Sequence, residues 1–140
     1  MGRINFGRVL LGGLVAGVIL TIGEYLINDV VLAKQMEETY GRLNIPRPGN
    51  HFIIAATGVT ILLGIALVLL YTLIRARLGP GPKAAVVAAI ILWFGVYVYS
   101  GVIYGMLLHI PMNLMLIGFA WGLVEYIVAA LAGGALYRES

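Results

Sequence analysis

The sequence predicts an all-α integral membrane protein, an antiparallel up-and-down bundle of four transmembrane helices. Of its 140 residues, 61% are hydrophobic and 11% are charged, and the mean hydropathy is +1.01. Soluble domains are nearer half apolar and a quarter charged. Four spans of about 20 residues fill most of this length, so little is left for a soluble catalytic domain. The charged residues also fall between long apolar runs, which sets the number of spans.

The span boundaries follow from those runs and from one proline. The region from Ala84 to Val124 contains no Asp, Glu, Lys or Arg and is too long for a single helix, so it must fold back. Pro111 cannot continue a helix but suits the first turn of a new one. Within a single transmembrane domain over 1–140, the predicted spans cover about 7–28, 52–74, 84–108 and 112–137.

Two connections carry most of the polar residues. The segment 29–51 is the longest, and its apolar residues at helical spacing predict a short helix at the membrane surface: Leu32, Met36, Tyr40 and Leu43. We interpret it as an ordered external loop, with a lid or docking surface as the alternative. The turn over 75–83 is short, basic and rich in glycine and proline, as expected between two helices.

The distribution of basic residues predicts the orientation. Six share one side (Arg3, Arg8, Arg75, Arg77, Lys83 and Arg138), and three share the other (Lys34, Arg42 and Arg47). The positive-inside rule then places both termini and the turn 75–83 in the cytoplasm. We therefore expect a multi-pass integral membrane protein in contact with membrane lipids. No basic face or aromatic–basic motif indicates nucleic-acid binding.

Two glutamates, Glu24 and Glu125, lie inside predicted spans and are the main candidate site. A charge near the bilayer centre is costly, and no Lys or Arg lies in the interior of a span to pair with either. We expect these carboxyls to be protonated or strongly hydrogen-bonded, and to serve either as proton or ligand sites or only as structural groups. Helical depth places them at different levels, which predicts that Tyr97 lies near Glu125 and Tyr104 near Glu24.

A second group of candidates lies at the predicted outer face. His51 and His109, with Asp29, Asn113 and Glu24, could surround a metal or a cofactor. The metal is unknown, because two histidines without a recognised spacing identify none. We predict no cofactor, although a pigment, haem or quinone is not excluded. Hydrogen bonding to loops or headgroups is the simpler role for these histidines.

Nineteen glycines predict close helix packing. Three G-x-x-x-G pairs stand in the first, third and fourth spans: Gly13 and Gly17, Gly101 and Gly105, Gly118 and Gly122. Close packing within the bundle or between copies of the chain would use them. The segments Gly17–Tyr25 and Gly118–Tyr126 also match at Gly, Glu and Tyr, with each glutamate seven residues after its glycine.

Four stretches of the chain are distinctive: the opening from Asn5 to Gly17, Gly23–Tyr25, the turn Gly79–Lys83 and the segment Trp121–Glu125. Together they resemble a group of small uncharacterised bacterial four-helix membrane proteins. The resemblance covers most of the chain and implies a four-helix fold in a bacterial inner membrane, but no activity. Small multidrug transporters are an architectural analogy without a motif match, since here one glutamate lies late in the first span and another in the fourth.

For function, the sequence leaves three classes open. We favour a non-enzymatic protein with a packing or accessory role, self-associating or bound to a larger membrane complex, because its most specific features concern packing. The alternative is a proton-coupled small carrier or channel-like oligomer that uses the intramembrane glutamates. The third class is a lipid, quinone or pigment binder. The chain lacks the recognisable motifs of ATPases, hydrolases, zinc proteases and c-type haem proteins, so we do not expect an enzyme.

Overall fold

A computed structural model describes residues 3–139, and in this range every regular element is helical. In chain order the elements are α1 (Phe6–Tyr25), a first π segment (Leu26–Val31), α2 (Ala33–Leu43), α3 (Asn50–Leu78), α4 (Pro82–Trp93), a second π segment (Phe94–Tyr99), α5 (Ser100–Leu107) and α6 (Met112–Ala135).

Four of the helices are long and apolar enough to cross a membrane, which confirms the predicted all-helical class and the number of candidate spans. They are Phe6–Val31, Asn50–Leu78, Pro82–Leu107 and Met112–Ala135. The first and third are composite, since each contains a π segment in which the backbone bonds run from residue i to i+5. Helix α2 is the only other helix of the described chain and lies in the expected external segment.

Local sequence explains where α1, α3 and α4 begin or end. The side chain of Asn5 accepts a hydrogen bond from the backbone N–H of Arg8 at 3.2 Å and caps the start of α1. Helix α3 stops before Gly79, whose φ of +83° suits glycine. Gly81 has a φ of +123°, and Pro82 then begins α4 with its φ already fixed for a helix.

The ends of α2 and α5 are closed by two residues in the left-handed region. Asn44 follows α2 with φ +55°, and His109 follows α5 with φ +56°. The N–H of Ile110 donates to the carbonyl of Gly105 at 2.8 Å, the six-to-one bond of a Schellman motif. His109 therefore has a structural place in the break between the third and fourth spans.

The tightest packing lies at the end of the bundle that carries both termini, here named the terminal end. The backbone N–H of Asn5 donates to the hydroxyl of Tyr137 at 3.1 Å, which joins the two ends of the chain. Helix α4 packs on α6 there through small buried side chains. These are Ala84, Ala85, Ala88 and Ala89 of α4 with Ala129 and Ala130 of α6.

Glycines bring α1 into backbone contact with α3. A Cβ on Gly17 would lie 2.8 Å from the Cα of Ile61, and a Cβ on Gly13 would meet Ile65 in the same way. From the other side, a Cβ on Gly64 would overlap the backbone of Gly17. Any larger residue at these positions would push the two helices apart.

Helices α1 and α6 also meet at glycines. Gly12 and Gly133 face each other so closely that a Cβ on Gly133 would lie 2.7 Å from the carbonyl oxygen of Gly12. This contact fixes how far the two helices are displaced along their axes, and thus which residues lie at one level further along.

The opposite end, which carries α2, is packed more loosely and is here named the α2 end. Helix α3 packs on α1 and α4, but its contacts with the second π segment and α5 fall away, and residues 51–55 are exposed on every face. Arg42 of α2 donates a hydrogen bond to the carbonyl oxygen of Leu108 at 3.1 Å and ties α2 to the end of α5. A gap between α3 and the second π segment results.

Candidate functional site

The candidate site begins with a hydrogen-bonded pair between the first and third candidate spans. The hydroxyl of Tyr97 lies 2.8 Å from Oε1 and 2.7 Å from Oε2 of Glu24. A phenol can donate its single proton to an ionised carboxylate, or its oxygen can accept a proton from a neutral acid. The pair therefore remains bonded in either protonation state of Glu24.

Helical depth predicted the wrong partner for Glu24. Tyr104, which we expected beside Glu24, is 61% exposed. Tyr97, which we expected near Glu125, does pack on Tyr126, the next residue of α6, but its hydroxyl bonds Glu24. The physical reason is the second π segment, which contains Tyr97. An i→i+5 turn takes about one residue more than an α-helical turn, so the residues beyond it rotate away from the stripe that a regular helix would continue.

Glu125 of α6 is the second acid of the site, and it is buried without a partner. Glu125 is only 6% exposed, and neither of its carboxyl oxygens has a hydrogen-bond partner among the described residues. The nearby indole of Trp121 donates instead to the backbone carbonyl of Gly23, at 3.0 Å. Unpaired buried carboxyl oxygens are costly and rare, so this group stands out.

The two glutamates are neighbours, not at different levels as expected. Glu125 lies against Gly23, where an added Cβ would be 2.7 Å from the Glu125 Cδ. The axial displacement set by Gly12 and Gly133 brings these positions together. In addition, helical side chains lean toward the N-terminus of their helix. Those of α1 lean toward the terminal end and those of α6 toward the α2 end, so the two carboxyls approach each other.

Both acids line one half-open cleft of about 340 Å³ between α1, α3, the second π segment and α6. The remaining lining is mostly apolar: Leu20, Val59, Thr60, Leu63, Val96 and Tyr126. The hydroxyl of Thr60 already donates to the carbonyl of Ala56 at 2.6 Å. Glu125 is thus left without a donor from this lining.

Two aromatic side chains pack together beside the carboxyls. The rings of Tyr97 and Tyr126 pack edge to face with centroids 5.6 Å apart. The Tyr97 ring also lies on Gly122, where a Cβ would come within 2.8 Å of it. Gly122 therefore makes room for the tyrosine that holds Glu24.

Among the described residues that line the cleft, none is basic. Ion pairs join Arg47 to Glu37 and Arg75 to Glu139, both outside the cleft. The cleft as described thus offers two acids and no cation.

The outer-face candidates do not form one site. Within residues 3–139 no three His, Asp or Glu residues come close enough to hold a metal ion. His51 is exposed at the start of α3, and His109 closes α5. Asn113 lines a separate cleft of about 320 Å³ between α2 and the start of α6, together with Arg42 of α2.

Asp29 lies near α2. Burial raises the pKa of the Tyr40 phenol, the negative charge of Asp29 raises it further, and Arg47 lowers it. Asp29 therefore lies beside α2, near the end of the first candidate span, and is not part of the lining of the cleft.

The six candidate packing glycines differ in their surroundings. Gly13 and Gly17 face α3 as described above, Gly101 lies against Phe119, and Gly105 against Met115. Gly118 has no atom within 4 Å of an added Cβ and lies on an open face.

Sequence reasoning missed Gly23, Tyr126 and the residues of α3 that line the cleft. Gly23 and Tyr126 each stand next to a glutamate, which is a usable signal, whereas Val59 and Leu63 are ordinary residues of an apolar run. Comparisons with protein-family models, curated proteins and solved structures gave no match, so the function has to be inferred from this geometry.

Proposed function

We propose that the chain is a proton-coupled small carrier of a bacterial inner membrane, with Glu24, Tyr97 and Glu125 as its transport site. The observation that carries this proposal is the unpartnered carboxyl of Glu125, buried in a cleft beside a second acid. Two negative charges this close in apolar surroundings repel strongly, so the site holds at least one proton or a cation. A carrier needs such a site, which exchanges one occupant for the other.

The proton-binding groups of the site come from three elements. Glu24 belongs to α1, Tyr97 to the second π segment, and Glu125 and Tyr126 to α6, while α3 contributes Thr60 and apolar side chains. Proton exchange is therefore assigned to the two carboxyls, with Tyr97 as the hydrogen-bonding partner that orients Glu24.

In this proposal the four candidate spans cross the membrane as an antiparallel up-and-down bundle with cytoplasmic termini. The bond between Asn5 and Tyr137 and that between Arg42 and Leu108 support it, because they join the expected neighbours at opposite ends. The terminal end carries the excess of basic residues, which supports placing it on the cytoplasmic side of the membrane.

The test is infrared spectroscopy of the protein in lipid nanodiscs, followed by proton flux in proteoliposomes. We expect a carboxylic-acid carbonyl band that responds to pH and is lost in Glu125→Gln, together with at least a tenfold loss of proton-linked flux. Glu38→Gln, an exposed acid of α2, is the matched control and keeps both signals. Unchanged spectra and flux in a folded Glu125→Gln protein would refute the proposal.

A second candidate function, the packing or accessory role, is favoured by Gly118. This glycine faces open space in the single chain, so a helix of another copy or of another membrane protein has room to pack against it. If Gly118 forms such a contact, Gly118→Leu abolishes association of the chain with its partner, without unfolding it, when the protein is extracted gently from its membrane. Gly122→Leu is unsuitable for this test because it would collide with Tyr97.

A further inference from the structure

The cleft also indicates what kind of molecule it receives. We propose that it binds the protonated form of a lipophilic amine, an ammonium ion with at least one N–H, which reaches Glu125 sideways from the membrane through the gap between α3 and the second π segment. This inference rests on the proposed function, since it uses the same carboxyls, and it names the substrate class.

The charged head of the ligand follows from the two acids. Glu24 already accepts the Tyr97 hydroxyl, whereas both oxygens of Glu125 lack a donor within the described chain. An ammonium N–H supplies a donor and a positive charge at once, and charge-assisted hydrogen bonds are the strong ones. A neutral alcohol would supply a donor without the charge, and a quaternary ammonium the charge without a donor.

The apolar body of the ligand follows from the walls. Leu20, Leu63 and Val96 line the cleft with aliphatic side chains, and Tyr126 adds an aromatic one. The volume of about 340 Å³ lies at the small end of ligand pockets, which span roughly 300–1,000 Å³. A compact amine with one ring or a short alkyl chain fits this space.

The route follows from the open side of the cleft. Val59 of α3 is 63% exposed and Val96 of the second π segment is 36% exposed, and both line the cleft. Exposed valines inside candidate spans face the acyl chains of lipid, so a ligand dissolved in the bilayer meets the opening directly.

Binding is tested by calorimetry on the full chain in lipid nanodiscs, with three matched probes: 4-phenylbutylamine, its N,N,N-trimethyl derivative and 4-phenylbutanol. We expect the amine to bind at least tenfold more tightly than either of the others. Repeating the titration in buffers of different ionisation enthalpy counts protons, and about one should leave the site for each amine that binds.

Three variants sharpen the test. Glu125→Gln should weaken amine binding at least tenfold, and Val59→Trp should slow association by narrowing the opening while both acids remain. Glu38→Gln is the control for loss of a surface acid and should bind normally. Size-exclusion and circular dichroism profiles establish that each variant is folded.

The outcomes separate this inference from the proposed function. Equal binding of amine and alcohol, no amine binding, or tight binding in folded Glu125→Gln overturns the ammonium site, even where proton-linked flux persists. If the amine binds without releasing a proton, the ammonium site is supported but the proposed proton-coupled transport is refuted. Association that Val59→Trp does not slow overturns the sideways route.

Discussion

At the scale of single residues, Tyr97 is the side chain whose role is defined most sharply. Its hydroxyl is held between both oxygens of Glu24 and its ring between Gly122 and Tyr126. Removing the hydroxyl leaves the ring packing intact but takes away the donor to a buried acid. The single substitution Tyr97→Phe therefore distinguishes the effect of the hydrogen bond from that of ring packing.

We predict that Tyr97→Phe lowers the free energy of unfolding by about 1 kcal/mol, the usual net value of a hydrogen bond, and slows proton-linked flux. Tyr104→Phe is the matched control, because Tyr104 is exposed and should change neither quantity. Reversible unfolding in mixed micelles, followed by circular dichroism, measures the first, and proteoliposome flux the second. An equal effect of the two substitutions would show that Tyr97 does not support Glu24.

Gly23 is the second residue with a specific role, because Glu125 rests against it. A Cβ there would lie 2.7 Å from Cγ and Cδ of Glu125, so Gly23→Ala should displace the carboxyl and weaken amine binding at least tenfold. Gly58→Ala, with no atom within 4 Å, should leave binding unchanged and stabilise its helix by about 0.5–1 kcal/mol. Normal amine affinity in Gly23→Ala would disprove the close contact.

At the scale of elements, the break between α5 and α6 depends on a histidine in the left-handed region. His109 has φ +56°, a conformation that costs most L residues roughly 1–2 kcal/mol and that achiral glycine adopts freely. This structural role can be separated from any ligand role by comparing two substitutions.

We predict that His109→Gly raises the free energy of unfolding by about 1 kcal/mol, since glycine adopts this conformation freely. His109→Val should lower it by a similar amount, because β-branched residues are strained there. Denaturation midpoints of the two variants check the signs. A loss of stability in both would instead indicate that the imidazole makes a stabilising contact.

The elements themselves could be predicted from the sequence, but their internal register could not. Long apolar runs with few or no charged residues, together with Pro111, suffice to locate four long helices, because the cost of burying charge in lipid is large. The π segment at Phe94–Tyr99 leaves no such signal, since it lies inside an uninterrupted apolar run. For this reason the partner of Glu24 was wrongly expected to be Tyr104.

At the scale of the whole molecule, the bundle combines a tightly packed half with an open half. Glycine contacts such as Gly12 with Gly133 join the helices at the terminal end, where small residues bring the backbones together. At the α2 end α3 and the second π segment separate. The carboxyls lie where the packed half meets the open one, so a ligand could reach them while the glycine contacts hold the helices in register.

The orientation of the molecule decides from which side a proton reaches this site, and the lack of cysteine makes it directly measurable. We predict that, in intact cells, an impermeant maleimide labels Glu38→Cys from outside and Ala76→Cys only after the cells are opened. Both positions are exposed, and neither substitution changes the Lys and Arg distribution on which the positive-inside argument depends. Ala129→Cys is the control, since it is fully buried and should react only in the unfolded chain. The reverse labelling pattern would show that the chain has the opposite orientation in the membrane. Labelling of both positions from outside would show that α3 does not cross the membrane.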